Sequence, residues 1–442
     1  MQLLPGFRDF YPEDCARRNY ILSVWREVAA RYGFLEYDGP VLEPIELYKK
    51  KSGGELVGQL FDFEDKGGRH VALRPEMTPT LARMVASRER DYKKPLKWFC
   101  APSFFRYEKQ QRGRLREFLQ LNGDILGDAS PAADAELLSL VIDILRGFGL
   151  GAGDFVVRLS DRDAWMQFAR GRGVPEERLM DFLGIVDKLE RMPEADCRRK
   201  LAEFGVELEA VRAFIADPSA EAAKLQGILG DLEARGLGEF VEVDLTIVRG
   251  LAYYTGLVFE VFDRGGKERA LAGGGRYDAL LEVMSDGKVK MPALGFGMGD
   301  VVLANLVEEV PAAREKREAW LRARRAAEVY VVVADEGRRR EALGLVQTLR
   351  DSGWRTDYAL TGAKVGKQFQ AAEGLGATYA VVVGAEWPQI KIKELASRAE
   401  REVPAGGLLE ALGVRHPTDV LTDVLTDVGG LGEAGSAERG GV

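Results

Sequence analysis

In a β-strand, residues two apart share a face. In FFRYEKQQRGRLREFLQLNGDILG, Phe104 to Gly127, this sets Arg106 beside Glu108 on one strand and aligns Gln120, Asn122 and Asp124 on its neighbour. A sheet face bearing Arg, Glu, Gln and Asp makes poor core. A binding surface and a solvent-facing antiparallel hairpin both accommodate it, and the segment alone leaves the two open. RPEMT places Glu76 and Thr78 two apart, again on one face if extended, as a carboxylate and a hydroxyl suited to an ammonium group. VRGLAYY sets Arg249 just before Tyr253 and Tyr254, and AGGGRYD runs from three glycines into Arg276 and Tyr277. Taken singly, each has a bland explanation: a surface charge, a core tyrosine, a tight turn.

The residue inventory narrows the chemistry. Only two histidines occur, His70 and His416, which leaves little room for Ser-His-Asp, Cys-His or multi-histidine metal chemistry. Cys15, Cys100 and Cys197 are far apart and form no C-x-x-C pair, so they are expected as free thiols, with no metal site expected from protein side chains. Catalysis must rest on Arg, Glu, Asp, Tyr, Lys and backbone groups. GFGMGD lacks the G-x-G-x-x-G spacing of a dinucleotide site, and GAKVGKQ is too short for a phosphate-binding P-loop and has no Ser or Thr after its lysine. Those glycines suit close approach of backbone to a ligand or another strand. A formal net charge of −8 argues weakly against a large nucleic-acid footprint, so local clusters matter more. Of these, Arg106 to Arg116 stands out because it lies inside an alternating apolar segment.

The elements that must position these groups are legible in outline. At 442 residues the chain is expected to form two or three domains. Its 46% hydrophobic and 30% charged content fits a soluble globular protein. With no secretory pattern and no apolar run of membrane-spanning length, a cytoplasmic enzyme without membrane contact is expected. Pro12 opens an amphipathic helix that Gly33 stops, with Tyr20, Val24 and Val28 sharing one stripe with Ile21, Trp25 and Tyr32. Leu96 to Glu108 and Arg116 to Gly127 read as an antiparallel hairpin around a basic loop. Ser130 and Pro131 cap a helix closed by Gly147. Residues 161–238 read as a charge-rich helical insertion with no obvious site residues. The parts before and after it, 1–160 and 239–307, read as one sheet-containing domain. A charged linker spans 308–327, a small α/β domain spans 328–416, and the tail 417–442, with its LTDV repeat, is expected to be disordered.

Together FRYE with GRLREFLQ, VRGLAYYTG and GGGRYD resemble the histidyl-tRNA synthetase family of class II aminoacyl-tRNA synthetases, from PGFRDFYPED through the small C-terminal domain. The resemblance implies an α+β fold: an antiparallel sheet flanked by helices, a helical insertion and a C-terminal α/β anticodon-binding domain. It implies a homodimer whose interface includes the segment ending at Pro40, with ATP, Mg²⁺, histidine and tRNA(His) as cofactors and partners. By position, it assigns Arg106 and Arg249 to the α-phosphate from opposite sides as the catalytic pair, with Glu108 and Arg114 also binding ATP. For histidine it assigns Glu76 and Thr78 to the α-ammonium, Gln120 to the carboxylate region, and Asp124, Tyr254 and Tyr277, with Tyr253 adjacent, to the imidazole. Lys109 and Gln111 fall where the motif 2 loop meets the tRNA acceptor end.

Two positions depart from the family pattern. Ala252 stands where Asp often follows R-G-L, and Val302 stands where motif 3 usually supplies an arginine to the γ-phosphate end of ATP. One rival reading is a non-catalytic histidine-binding paralogue, such as the regulatory subunit of ATP phosphoribosyltransferase, which lacks a domain after Val329. A second, an RNA-binding protein without catalysis, would carry a basic excess and an exposed aromatic platform that this chain lacks.

Overall fold

The fold is described from a computed structural model, over residues 2–50, 54–109, 113–189, 192–217, 223–248, 254–324 and 326–413. It divides into two compact units, Met1–Arg317 and Glu318–Val442.

The first unit opens with helix Pro12–Arg31. Proline in the first turn, Glu13 and Asp14 beside it and Arg31 in the last turn suit the open N–H and C=O ends of a helix. Strands follow as β1 (Leu35–Glu36), β2 (Leu42–Pro44), β3 (Asp62–Glu64), β4 (His70–Leu73), β5 (Leu96–Cys100), β6 (Ser103–Phe105), β7 (Glu117–Leu126), β8 (Phe155–Asp161), β9 (Val241–Val243), β10 (Thr255–Asp263), β11 (Ala272–Arg276) and β12 (Ala293–Gly299). Strands β2, β4 and β3 form a small antiparallel sheet. The rest build a nine-stranded sheet in the order β1-β5-β7-β12-β11-β10-β8-β9, with β6 also on β7. Its central ladders are antiparallel.

Along β7, Leu121 and Ile125 are buried on the face over which helix Pro131–Gly147 packs, and helix Pro12–Arg31 lies against that helix in turn. As the sequence implies, Ser130 caps helix Pro131–Gly147, its side chain accepting from the Ala133 N–H. Arg276, at the end of β11, is almost fully buried. Its guanidinium meets Asp134 at 2.7 Å and donates to the carbonyls of Asp128 and Ser130. That buried pair locks the sheet to the helix start, and removing one partner of such a pair costs about 3–5 kcal/mol.

Between β8 and β9 lie helices Arg162–Gly171, Leu179–Val186, Glu194–Ala202, Leu208–Ala216 and Ala223–Ala234. The first four share an aromatic core of Trp165, Phe168, Phe182, Phe204 and Phe214, whereas helix Ala223–Ala234 packs against helix Pro131–Gly147.

In the second unit, β13 (Val329–Val333), β14 (Thr356–Tyr358) and β15 (Tyr379–Val383) are parallel, and β16 (Gln389–Glu394) and β17 (Glu400–Pro404) add an antiparallel hairpin. Every residue of β13 is buried because both faces are covered, the reason a run of valines serves there. A helix, Pro311–Ala323, occupies much of the segment read from sequence as a charged linker. The tail from residue 414 lies outside the described residues.

Candidate active site

A cavity of about 710 Å³ opens on the face of the large sheet away from helix Pro131–Gly147. Its floor is made by a pairing that the sequence does not display. Gly295, Gly297 and Gly299 of β12 stand opposite Asp124, Asn122 and Gln120 of β7 in register. Gln120, Asn122 and Asp124 all line the cavity, as strand alternation predicts. The glycine alternation is what lets them lie over the neighbouring strand. A Cβ on Gly295 would fall 2.0 Å from Asp124 Oδ1, and one on Gly297 would fall 2.7 Å from Gln120 Nε2.

At the Asp124 end, Tyr277 Oη donates to Asp124 Oδ1 at 2.5 Å, and both side chains are buried. Tyr254 lines the same end. Burial pushes both tyrosine hydroxyls well above the usual phenol range. The charge of Asp124 adds to this for Tyr277, and those of Glu76, Asp124 and Glu260 add to it for Tyr254. Both rings therefore stay neutral and able to donate. Glu76, buried, and Thr78 join the lining, but not as strand neighbours: Thr78 begins helix Thr78–Ser87 and the preceding Met77 has helical φ and ψ. They converge through a helix start instead.

The other end is built from the end of β6 and the loop before β7. Arg106 and Glu108 are cavity residues, yet the chain has left the strand there, and the Glu108 N–H turns back onto the Arg106 carbonyl at 2.8 Å. Arg106 Nε donates to the Pro75 carbonyl at 2.8 Å and its guanidinium lies 5.3 Å from the Phe118 ring centre. Glu108 holds Arg114 at 2.9 Å, with Arg106 4.0 Å away. One carboxylate thus steadies two guanidinium groups at the mouth of the cavity. Lys109 is exposed beyond them. Arg249, Tyr253 and Gln111 lie outside the described residues.

The floor of this end is pinned from below. Asp300, buried at the start of helix Asp300–Glu309, accepts the Leu119 N–H of β7 at 3.0 Å and pairs with Arg8 at 2.8 Å. Burial raises its carboxyl above the ordinary range, with Arg8 opposing.

Sequence reasoning missed five charged lining residues, Asp187, Lys188, Glu260, Arg269 and Asp300. Asp187 and Lys188 reach the cavity from the helical segment read as bare of site residues, and Arg269 reaches it from the β10–β11 turn. Nothing distinguished them from the many charged residues around them. Among the described residues, no group of three or more His, Cys, Asp or Glu side chains is placed to hold a metal ion, and no helix is long and apolar enough to cross a membrane.

An antiparallel sheet carrying a glycine-floored cavity, with a carboxylate–tyrosine pair at one end and arginines at the other, defines an enzyme that orients a small polar substrate beside an anionic one. Residues 6–300 match the family model described as histidyl-tRNA synthetase, and residues 328–414 match one described as anticodon binding domain. The chain is 43% identical over 429 residues to the histidine--tRNA ligase of Opitutus terrae, covering 91% of this chain and 96% of that one. Its fold is similar to the crystal structure of histidyl-tRNA synthetase from Nostoc sp. PCC 7120, with a TM-score of 0.72, 24% identity and coverage of 93% and 98%. It is also similar to a structure titled an ATP phosphoribosyltransferase regulatory subunit/histidyl-tRNA synthetase from Bacillus halodurans, with a TM-score of 0.67, 25% identity and coverage of 84% and 96%. The chain belongs to the histidyl-tRNA synthetase family.

Proposed function

We propose that the protein ligates histidine to tRNA(His) in two steps, first forming histidyl-adenylate from histidine and ATP, then passing the histidyl group to the tRNA 3′ end. The observation that carries this reading is the closed Asp124–Tyr277 pair set in one cavity with Arg106, Glu108 and Arg114. In the first step a histidine carboxylate oxygen bonds to the α-phosphorus and the bond to pyrophosphate breaks. The protein must align the two reactants and neutralise charge as it develops. Arg106, held by Pro75 and Phe118, faces the α-phosphate, and the family resemblance assigns Arg249 to the same phosphate. Glu108 orients Arg114 at the nucleotide. In the second step a terminal ribose hydroxyl attacks the acyl carbon and AMP leaves.

At the histidine end, Asp124 accepts the imidazole N–H while Tyr277 fixes the carboxylate's orientation, and neutral Tyr254 closes the ring's surroundings. Glu76 and Thr78 hold the α-ammonium and Gln120 the carboxylate region. A site built to hydrogen-bond a ring N–H rejects analogues lacking it far more strongly than size alone allows. Mg²⁺ is commonly bound through substrate phosphates and one or two carboxylates. It would therefore enter with ATP, and no step here depends on a protein-held ion. Exposed Leu35, Val41 and Leu42, flanking Pro40, support a homodimer interface there. Lys109 and Gln111 would meet the tRNA acceptor end, in a cytoplasmic setting. A regulatory paralogue would need no anticodon-binding segment such as that matched at 328–414.

The test is amino-acid-dependent ATP–pyrophosphate exchange across all twenty amino acids. Exchange with histidine alone is expected. Absence of exchange with histidine would remove the enzyme reading, and exchange with another amino acid would move the substrate assignment.

A further inference from the structure

Val302 puts an apolar side chain on the cavity wall beyond Gly299, although the phosphates of a nucleoside triphosphate bring negative charge into such a site. We infer that Arg269 binds the terminal phosphate of ATP, beside the loop that carries Arg114; this rests on the synthetase reading above.

The cavity has a long axis set by β7 and β12. Asp124 and Gln120 are four residues apart, roughly 13 Å along the strand. Gly295 marks the Asp124 end and Gly299 the Gln120 end, after which the chain turns into the helix carrying Val302. Strand β11 runs antiparallel to β12 with Ala272 beside Met298, so Arg269, three residues earlier, belongs to that same far end. The loop carrying Arg114 closes on it. A Cβ built on Gly113 would lie 3.1 Å from Val302 Cγ2, 3.9 Å from Glu268 Oε2 and 4.0 Å from Arg269 Cδ. Val302, the motif 2 turn and the stem of Arg269 are therefore one cluster at the end away from the imidazole site.

The backbone under Arg269 is held in place. Asp263 accepts from the Lys267 and Glu268 N–H groups at 3.0 and 3.1 Å. Asn305, one helical turn beyond Val302, donates to Glu268 Oε1 at 3.3 Å, and Lys267 meets Glu309 at 3.5 Å. The β10–β11 turn is thereby tied to helix Asp300–Glu309, while the Arg269 side chain is exposed and lines the cavity. An anchored base under a solvent-accessible guanidinium suits bidentate capture of a phosphate that arrives with ATP and departs as pyrophosphate. In chemical terms, a charge supplied by the helix in one design is supplied by the neighbouring hairpin here.

The experiment compares wild type, Arg269→Ala and Arg269→Lys in histidine-dependent exchange and in the reverse reaction from pyrophosphate, alongside binding of a non-hydrolysable histidyl-adenylate analogue that lacks the β- and γ-phosphates. Arg269→Ala is expected to raise the KM for ATP and for pyrophosphate by about ten- to a hundred-fold, the range for losing a hydrogen bond to a charged group. Its KM for histidine and its affinity for the analogue should stay within about two-fold. Arg269→Lys should recover part of the loss. Unchanged KM values for ATP and pyrophosphate in Arg269→Ala, or an equal loss of analogue affinity, would overturn the assignment. Absence of exchange by the wild-type chain would instead strike the synthetase reading itself.

Discussion

The two ends of the cavity are built on opposite principles. At the Asp124 end the polar groups are buried and fixed: Asp124, Tyr277 and Glu76 are each under 5% exposed, and Asp124 fills the space that a Cβ on Gly295 would need. At the arginine end the charged groups are partly open to solvent, with the Arg106 and Arg114 side chains 27% and 36% exposed and Arg269 exposed beyond them. A small ring must be told from its analogues, which needs hydrogen bonds of fixed length in a dry site. A triphosphate must be admitted, cleaved and released as pyrophosphate, which favours cations on long side chains that keep some freedom. One end reads identity and the other manages charge.

The largest effect that would sharpen this contrast lies at the charge end. Arg106→Ala should lower the rate of histidine-dependent ATP–pyrophosphate exchange by about two to three decades, the loss of roughly 3 to 4 kcal/mol typical when a preorganised donor at the reacting centre is removed. Its binding of free histidine should change little. A fall in rate of less than ten-fold would place the reacting phosphate elsewhere. At the identity end, Asp124→Asn should raise the KM for histidine by roughly a hundred-fold and leave the KM for ATP nearly unchanged, because a charge-assisted acceptor is lost from a buried site. Tyr277→Phe, which removes only the hydroxyl orienting that carboxylate, should raise it about ten-fold. Equal changes in the two KM values for Asp124→Asn would break the division between the ends.

The division was only partly legible in the sequence, for reasons that differ by residue. Gln120, Asn122 and Asp124 were readable because a two-residue period survives in any strand, and they share the cavity face. The glycines of GFGMGD were readable as close-approach residues, but not as the floor under those three side chains. Register between β7 and β12 joins segments some 170 residues apart, and local pattern does not encode it. Arg106 and Glu108 were expected to share a strand face, and Glu76 and Thr78 to share one if extended. Each pair lines the cavity by another route, a turn in the first case and a helix start in the second. Arg269, Asp187 and Lys188 gave no signal at all, since charged residues in turns and helix ends are ordinary surface. In the second unit the alternation of QIKIKE, with Ile390 and Ile392 buried, did mark β16 and passed unread. The helix Pro311–Ala323 was hidden by its charge, which resembles that of a linker.

The smallest expected effect concerns what joins the two ends. Asp300 ties β7 to the helix behind the arginine end, and burial raises its carboxyl above the ordinary 3.8, so the folded state holds a proton that the unfolded chain releases. With a folded value above the unfolded one, its contribution is fully present below pH 3.8 and is lost as pH rises through the raised value. Arg8, 2.8 Å away, limits the loss by pairing with the ionised form. Asp300→Asn keeps an acceptor for the Leu119 N–H and removes the titration, so the variant's stability should be flatter with pH over that window. Denaturant midpoints measured from pH 4 to pH 7 would detect it. If the arginine end is adaptable as its exposure implies, the variant should shift the KM for ATP by a few-fold and leave that for histidine alone. A larger change for histidine would mean that Asp300 sets the register of β7 at Asp124, and the two ends would then be one rigid body.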